Sequence, residues 1–340
     1  MRISQEVHPI DESFFEGAVS IATGDGWMQP LRLPCNKLPL FNEELVDRAS
    51  VTAGVRVRFR TDATAPGLRI RPLPDDAAPT TFDCVIANSR VATVTVANDA
   101  DEVRFPGLPP GEKTIEIWLP TFRTVAVRGI VTEQGASVAG APDSRFRWVT
   151  YGSSITMCRT AHSPTRTWPA TVALARDWNL TCLGYGGQCH LEPLVARVIS
   201  ELPADFISLK LGINVCGNAS LNARSFRSAV IGMVKMIRER QPGTPLLLIS
   251  PIISPPRETA TNVVGMSLAF MRAEIAEAHR LLVADGDRHL SYADGLELFG
   301  ADLIGPRLPD DLHPDGDGYE IMGRRFLDRI LPRVPGLPAR

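Results

Sequence analysis

Four short stretches of this chain carry side chains that can do chemistry together. Tyr151-Gly152-Ser153-Ser154-Ile155-Thr156 brings two hydroxyls. Gly184-Tyr185-Gly186-Gly187-Gln188-Cys189-His190 brings a glycine backbone. Gly212-Ile213-Asn214 brings a side-chain amide, and Asp310-Asp311-Leu312-His313-Pro314 brings an Asp-x-x-His pair. These are the parts needed for acyl transfer. A serine hydroxyl is a weak nucleophile until a base takes its proton, and His313 is of the type that can take it and later return it. Asp310 lies three residues earlier, so one turn can bring its carboxylate to the other ring nitrogen and hold the tautomer. The oxyanion of a tetrahedral intermediate needs donors. The amides of Ser154 and Gly187 and the NH₂ of Asn214 can supply them, and glycine at 187 allows close backbone approach.

The elements that would position these groups follow from the apolar period. Before about residue 140 it alternates. Val55, Val57 and Phe59 interleave with Arg56, Arg58 and Arg60, which reads as a strand with its arginines facing water, and Ile115, Ile117 and Leu119 repeat the pattern. Pro/Gly/Asp clusters such as Pro72-Leu73-Pro74-Asp75-Asp76 separate the runs. Short strands with frequent turn signals predict an all-β sandwich or barrel, without a helix. Residues 132–140 read as a linker. Beyond it strands at 146–150, 180–183, 206–211, 246–249 and 289–292 alternate with helices near 168, 193–202, 225–240, 264–284 and 319–331. Such alternation predicts a parallel sheet covered on both faces. In such sheets ligands bind beyond the carboxyl ends of the strands, where the four stretches fall. The expected domains are 1–140 and 141–340.

Composition excludes several classes. The 340 residues carry a formal net charge of −2, with 36 basic and 38 acidic side chains and no basic tract, so a nucleic-acid partner is not expected. No apolar run approaches the roughly 18 residues of a membrane helix, and residues 1–6 lack a signal-peptide core. The 6 cysteines, at 35, 84, 158, 182, 189 and 216, form no Cys-x-x-Cys pair and are expected as free thiols in a reducing compartment. The expected location is the cytoplasm.

In these motifs the sequence resembles the SGNH (GDSL) hydrolase superfamily. Gly152-Ser153-Ser154-Ile155-Thr156 is similar to its first block, Gly187 to its second-block glycine, Gly212-Ile213-Asn214 to its third block, and Asp310-Asp311-Leu312-His313 to its fourth. The match runs over about residues 146–332 in the right order. The resemblance implies Ser154 as nucleophile, His313 as base, Asp310 as its partner, and Ser154, Gly187 and Asn214 as oxyanion donors. It also implies a flavodoxin-like three-layer α/β/α fold with a five-stranded parallel sheet, no metal and no organic cofactor. An α/β-hydrolase elbow is not expected, because Thr156 stands where its last glycine belongs. The chain departs from the family pattern in three places: Ser153 replaces an aspartate, Cys182 an asparagine and Val215 an aspartate. Ser153 competes with Ser154 as nucleophile, and register with the family favours Ser154.

A jelly-roll-like sandwich ahead of an SGNH domain resembles GDSL-type acyltransferases of tetracycline-class polyketide biosynthesis, which pass a salicylyl group from coenzyme A to a hydroxyl. The expected function is therefore serine-dependent O-acyl transfer from a thioester, with acyl-CoA as a possible donor substrate, to a small-molecule hydroxyl. A carboxylesterase or carbohydrate deacetylase using the same triad is the alternative, and a glycan-binding protein with an inert SGNH domain is a third reading. Candidate substrate contacts are Cys189, His190, Cys216 and Arg257. As a pair, Cys189 and His190 do not make a dyad, since neighbours on an extended segment point apart. Arg257 could grip an anionic group or form an ordinary salt bridge. Cys158 reads as core, His162, His279 and His289 as structural or solvated, and Trp27 and Trp118 as sandwich core. Oligomeric state is not legible.

Overall fold

The period-2 segments before residue 140 become two antiparallel sheets. The computed structural model describes residues 5–72 and 80–338. Residues 73–76 of the Pro-rich turn and 1–4 of the polar start lie outside them. By contacts the chain divides into two units, the first running to Arg145 and taking in 163–165 and 179–181, the second holding the rest. In the first unit one sheet has the order Ser20–Gly24, Trp27–Leu31, Val127–Glu133, Gly67–Ile70, Glu102–Arg104, with Gln5–His8 also on Val127–Glu133. The other has the order Val138–Gly140, Arg56–Thr61, Lys113–Trp118, Thr80–Ile86, Ser89–Val96, with Phe15–Glu16 on Arg56–Thr61. Alternate residues of both sheets, among them Val57, Phe59, Leu68, Ile70, Phe82, Ile115, Ile117 and Ile130, meet in one buried cluster. Each such side chain contributes roughly 1.5–3 kcal/mol.

Four expectations for this part need correction. Arg56 does not face water: it is fully buried, within 3.5 Å of Glu116 and 3.8 Å of Asp143, with its guanidinium over the Trp118 ring. A buried charge survives only when paired, and these carboxylates pair it; Arg60 alone of the three is exposed. A helix is present at Glu43–Ser50, started by the Asn42 side chain accepting from the Glu44 amide and packed through Leu45 and Ala49. Its apolar face is only two residues wide, too little for the period to show. The linker reading of 132–140 fails because Val138–Gly140 pairs antiparallel with Arg56–Thr61. Trp118 is core, whereas Trp27 is partly exposed between the guanidiniums of Arg71 and Arg128.

The parallel sheet beyond residue 145 has five strands: β1 (Phe146–Gly152), β2 (Trp178–Gly184), β3 (Phe206–Lys210), β4 (Leu246–Ile249) and β5 (Leu290–Ala293). Their order is 2-1-3-4-5, so the chain reverses direction across the sheet at the β1/β3 junction, where open α/β sheets bind ligands. Every residue of β3 and β4 is buried, as a sheet covered on both faces requires. The helices used below are α1 (Ser154–Met157), α2 (Trp168–Arg176), α3 (Pro193–Glu201), α4 (Ile213–Asn218), α5 (Ala223–Arg238), α6 (Leu268–Ala284) and α7 (Gly316–Arg325), with short helical turns at Gly295–Leu298 and Ile304–Arg307 besides. One group, α3, α5 and α6, packs together, and α2 packs on α7. Trp148 anchors β1 in an aromatic cluster with Trp168, Trp178, Phe206 and Phe326. No helix among the described residues is long and apolar enough to cross a membrane.

Candidate active site

The two serines after β1 are separated by the helix start. Ser153 is the N-cap of α1: its hydroxyl accepts from the Ile155 amide at 3.3 Å, and the residue is fully buried. That cap occupies the hydroxyl and turns it inward. Ser154 is the first helical residue, and its Oγ lies 2.8 Å from His313 Nε2.

The far side of the imidazole is held just as closely. His313 Nδ1 lies 2.7 Å from Asp310 Oδ2, while Asp310 Oδ1 accepts from the backbone amides of Leu312 at 3.0 Å and His313 at 2.6 Å. The carboxylate thus folds its own Asp-x-x-His turn, with Asp311 in the left-handed region at φ 58°. Partial burial works against ionisation of Asp310. The two amides and the His313 ring outweigh it and hold the carboxyl below the ordinary carboxylate range. An ionised Asp310 can only accept, so Nδ1 carries the proton and Nε2 accepts from the Ser154 hydroxyl. Two further bonds tie the histidine turn to its neighbours: Thr160 Oγ1 donates to the Pro314 carbonyl at 2.8 Å, and Ser254 Oγ to the Asp311 carbonyl at 2.6 Å.

Three donors in the segments around Ser154 stand open. The Ser154 amide is in the first turn of its helix, where no intrahelical acceptor exists. Gly187, at φ 77°, turns the loop after β2 through the left-handed region. Among the described residues neither amide has a protein acceptor. Asn214, at the start of α4, accepts the Cys189 amide on its Oδ1 at 3.0 Å. That bond fixes which way the side-chain amide faces, and its NH₂ has no protein acceptor among the described residues. All three residues are half-buried. Unpaired donors of this kind, set beside a serine nucleophile, can stabilise an oxyanion.

The loop carrying Gly187 is braced from behind by residues whose part the sequence did not show. His190 Nε2 lies 2.9 Å from the Gly187 carbonyl, so it is the protonated nitrogen, and Nδ1 accepts from the Ser220 hydroxyl at 2.8 Å. Asn218 Nδ2 adds a 3.4 Å bond to the same carbonyl. His190 therefore reaches the site through Gly187. The Cys189 thiol is 1% exposed and faces the Lys210 carbonyl at 3.8 Å, so what Cys189 offers the site is its backbone amide. Burial pushes that thiol up to about 12. Cys216 is buried two residues beyond Asn214. Cys158 and Cys182 are buried against the Thr156 carbonyl, beneath α1.

Lys210, at the end of β3, is 1% exposed, and among the described residues its Nζ has no hydrogen-bond partner. Burial pushes this amine down to about 8, despite the Cys189 and Cys158 thiols beside it. The only hint in the sequence is a lysine inside an otherwise apolar strand. Elsewhere His162, Asp317 and Glu320 place ligand atoms within 4.8 Å of one another. Arg307 and Arg166 already pair with the two carboxylates, which makes this an ion-pair cluster.

Comparisons with known proteins bear on both units. Residues 13–128 match the family model "SsfX3, N-terminal domain" and residues 150–321 match "GDSL-like Lipase/Acylhydrolase family". Among solved structures, the salicylyl-acyltransferase SsfX3 from a tetracycline biosynthetic pathway is 33% identical, with 96% of each chain covered and a TM-score of 0.85. A Bacteroides ovatus chain assigned as a GDSL-like lipase is 18% identical over 95% of this chain and 96% of that one, with a TM-score of 0.78. A family two carbohydrate esterase from Clostridium thermocellum is 14% identical over 84% and 94%, with a TM-score of 0.65. The last two similarities speak for the fold alone. None of the curated proteins compared matches the chain.

Proposed function

Since the chain belongs to the GDSL-like lipase/acylhydrolase family, we propose that it is an O-acyltransferase that forms an acyl-Ser154 intermediate from an acyl thioester and passes the acyl group to a hydroxyl of a small molecule. The observation that carries the serine chemistry is the unbroken chain from Ser154 Oγ through His313 to Asp310, at 2.8 and 2.7 Å. In the first half-reaction Ser154 Oγ attacks the thioester carbon while its proton moves to His313 Nε2. The charge that develops on the carbonyl oxygen is met by the Ser154 and Gly187 amides and the Asn214 NH₂. Asp310 stabilises the imidazolium. Collapse breaks the carbon–sulfur bond, and His313 gives its proton to the departing sulfur. In the second half-reaction the acceptor hydroxyl loses its proton to His313, attacks the acyl-serine carbon, and Ser154 leaves with that proton returned.

Transfer to an alcohol rather than to water is supported by likeness to the salicylyl-acyltransferase along both chains, first unit included. The test is a panel of aliphatic and aromatic acyl thioesters, each with and without hydroxyl acceptors, read by intact protein mass and product analysis. Expected are an acyl adduct on the wild-type protein and none on Ser154→Ala, whose turnover falls by at least about 10³-fold. New ester should form only when an acceptor is present. Free acid as the sole product with every acceptor would make the enzyme a hydrolase. An adduct that persists on Ser154→Ala would remove the serine mechanism.

A further inference from the structure

We propose that Arg257 is the recognition point for an anionic group, a carboxylate or a phosphate, carried by a substrate of the acyl-transfer reaction; the inference rests on that reaction for its substrate but not for its binding test. Arg257 ends the short 3-10 turn Pro255–Arg257, in the loop that leaves β4 on the active edge. Its Nη1 donates to Ser254 Oγ at 3.0 Å, and that hydroxyl donates onward to the Asp311 carbonyl, inside the turn that holds His313. The charge of the guanidinium is felt by the Cys216 thiol, although burial outweighs it there. Cys216 lies two residues beyond Asn214, and its carbonyl takes a 2.9 Å bond from Asn262 in the same loop. Arg257 is thus tied through Ser254 to the histidine turn and acts electrostatically on the helix that carries Asn214.

What distinguishes it is a missing counter-ion at a half-buried position, since Arg224, Arg288 and Arg329, which also lack a carboxylate partner among the described residues, are exposed. Several arginines of this unit are matched: Arg227 with Glu274, Arg238 with Asp287, Arg307 with Asp315 and Asp317, Arg325 with Asp302. The adjacent Glu258 is turned away, pairing with Arg272 and accepting the Ser254 amide at 3.0 Å. Among the described residues Arg257 has no carboxylate partner, and it is half-buried. Four of its five N–H groups remain for a ligand. A planar guanidinium with a free fork matches a carboxylate or phosphate in two parallel bonds. With a net charge of only −2, the protein's overall field does not collect anions, so a local group must.

The two sources of the anion are separated by substrate choice. One arm compares a carboxylate-bearing acyl group with its neutral counterpart, both as phosphate-free N-acetylcysteamine thioesters. The other compares one neutral acyl group on coenzyme A and on N-acetylcysteamine. For Arg257→Gln the ratio of kcat/KM for anionic over neutral substrate should fall about 10–100-fold in one arm, from loss of charged hydrogen bonds, through KM rather than kcat. Arg257→Lys should recover part of the ratio. The arm that responds names the source. Equal losses on anionic and neutral substrates, or no change in either arm, would overturn the proposal. Calorimetric binding of coenzyme A and of benzoate to wild type and Arg257→Gln needs no turnover. Anion binding that depends on Arg257 in a protein that turns over no thioester would preserve this site while rejecting the acyl-transfer reading. Anion binding that Arg257→Gln leaves intact would reject the site whatever the chemistry.

Discussion

At the scale of single residues the site is a set of hydrogen bonds in which each partner's role follows from what the next one can accept. Ser153 and Ser154 are chemically identical neighbours, yet one hydroxyl caps a helix and the other faces an imidazole. His190 shows the same logic at one remove. Its Nε2–H holds the Gly187 carbonyl at 2.9 Å, and the peptide that ends in that carbonyl belongs to the residue whose amide stands open toward the nucleophile. Losing this brace loosens the donor without touching the substrate. His190→Ala is therefore expected to lower kcat about tenfold on a small neutral ester, a fraction of the 10²–10³ attached to losing a whole oxyanion donor. KM should hold, and His190→Gln, which restores an N–H, should recover part of kcat. A rise in KM with kcat intact would mean that His190 touches substrate instead. The sequence placed Ser154, Gly187, Asn214 and His313 because each follows a strand or precedes a helix, and strand order sends such positions to one edge. It could not show that the Cys189 amide orients Asn214 or that His190 props Gly187. Those bonds depend on a loop passing through left-handed backbone at Gly187 and at Leu191, where φ is 62°.

At the scale of elements, Ser154 is placed by contact between β2 and α1. A Cβ on Gly184, the last residue of β2, would lie 2.4 Å from the Met157 amide nitrogen and 2.7 Å from the Thr156 carbonyl carbon. Only glycine lets strand and helix backbone approach so closely. Gly184→Ala must push α1, and with it Ser154, away from His313. A displacement of about 1 Å can cost on the order of 10² in rate, and forcing a methyl group into a packed site typically costs about 1–3 kcal/mol. We expect kcat to fall at least tenfold with a lowered Tm. Unchanged kcat and Tm would show that α1 yields freely. The same close packing explains what was legible. The α/β half was readable because buried parallel strands are continuous apolar runs and α5 shows a helical repeat of Phe226, Val230, Met233, Val234 and Ile237. In the β half, period 2 revealed the strands but not that the Arg56 side of one sheet is also covered. Alternating charge was therefore read as exposure, when it marks a buried network of Arg56, Arg58 and Arg145 with Glu116 and Asp143.

At the scale of the whole molecule, charges are almost balanced, and most arginines of the described residues sit beside carboxylates; surface pairs of that kind add little stability each. Lys210 is different, because it brings a charge with no counter-ion into the interior of the catalytic unit. Its amine titrates at about 8 in the folded protein against an ordinary 10.5. Between those values the unfolded chain holds a proton that the native one has released, so this group makes stability rise with pH over that interval. Below pH 8 both states are protonated and the penalty for the buried ammonium is complete. The thiols work in the other direction: Cys189, pushed up from 9.0 to about 12 by burial, stays protonated when its unfolded counterpart ionises, so stability falls as pH rises through that range. A raw stability profile mixes the two effects, whereas a comparison with Lys210→Met, which keeps the volume and removes the charge, isolates the lysine. At pH 7 Lys210→Met should be more stable than wild type by on the order of 2 kcal/mol. Denaturant melts at half-unit steps should show that advantage shrinking from pH 8 and gone near pH 10.5. A constant difference across the range, or a variant less stable at pH 7, would mean that the ammonium is matched in the interior and that the folded protein keeps its proton.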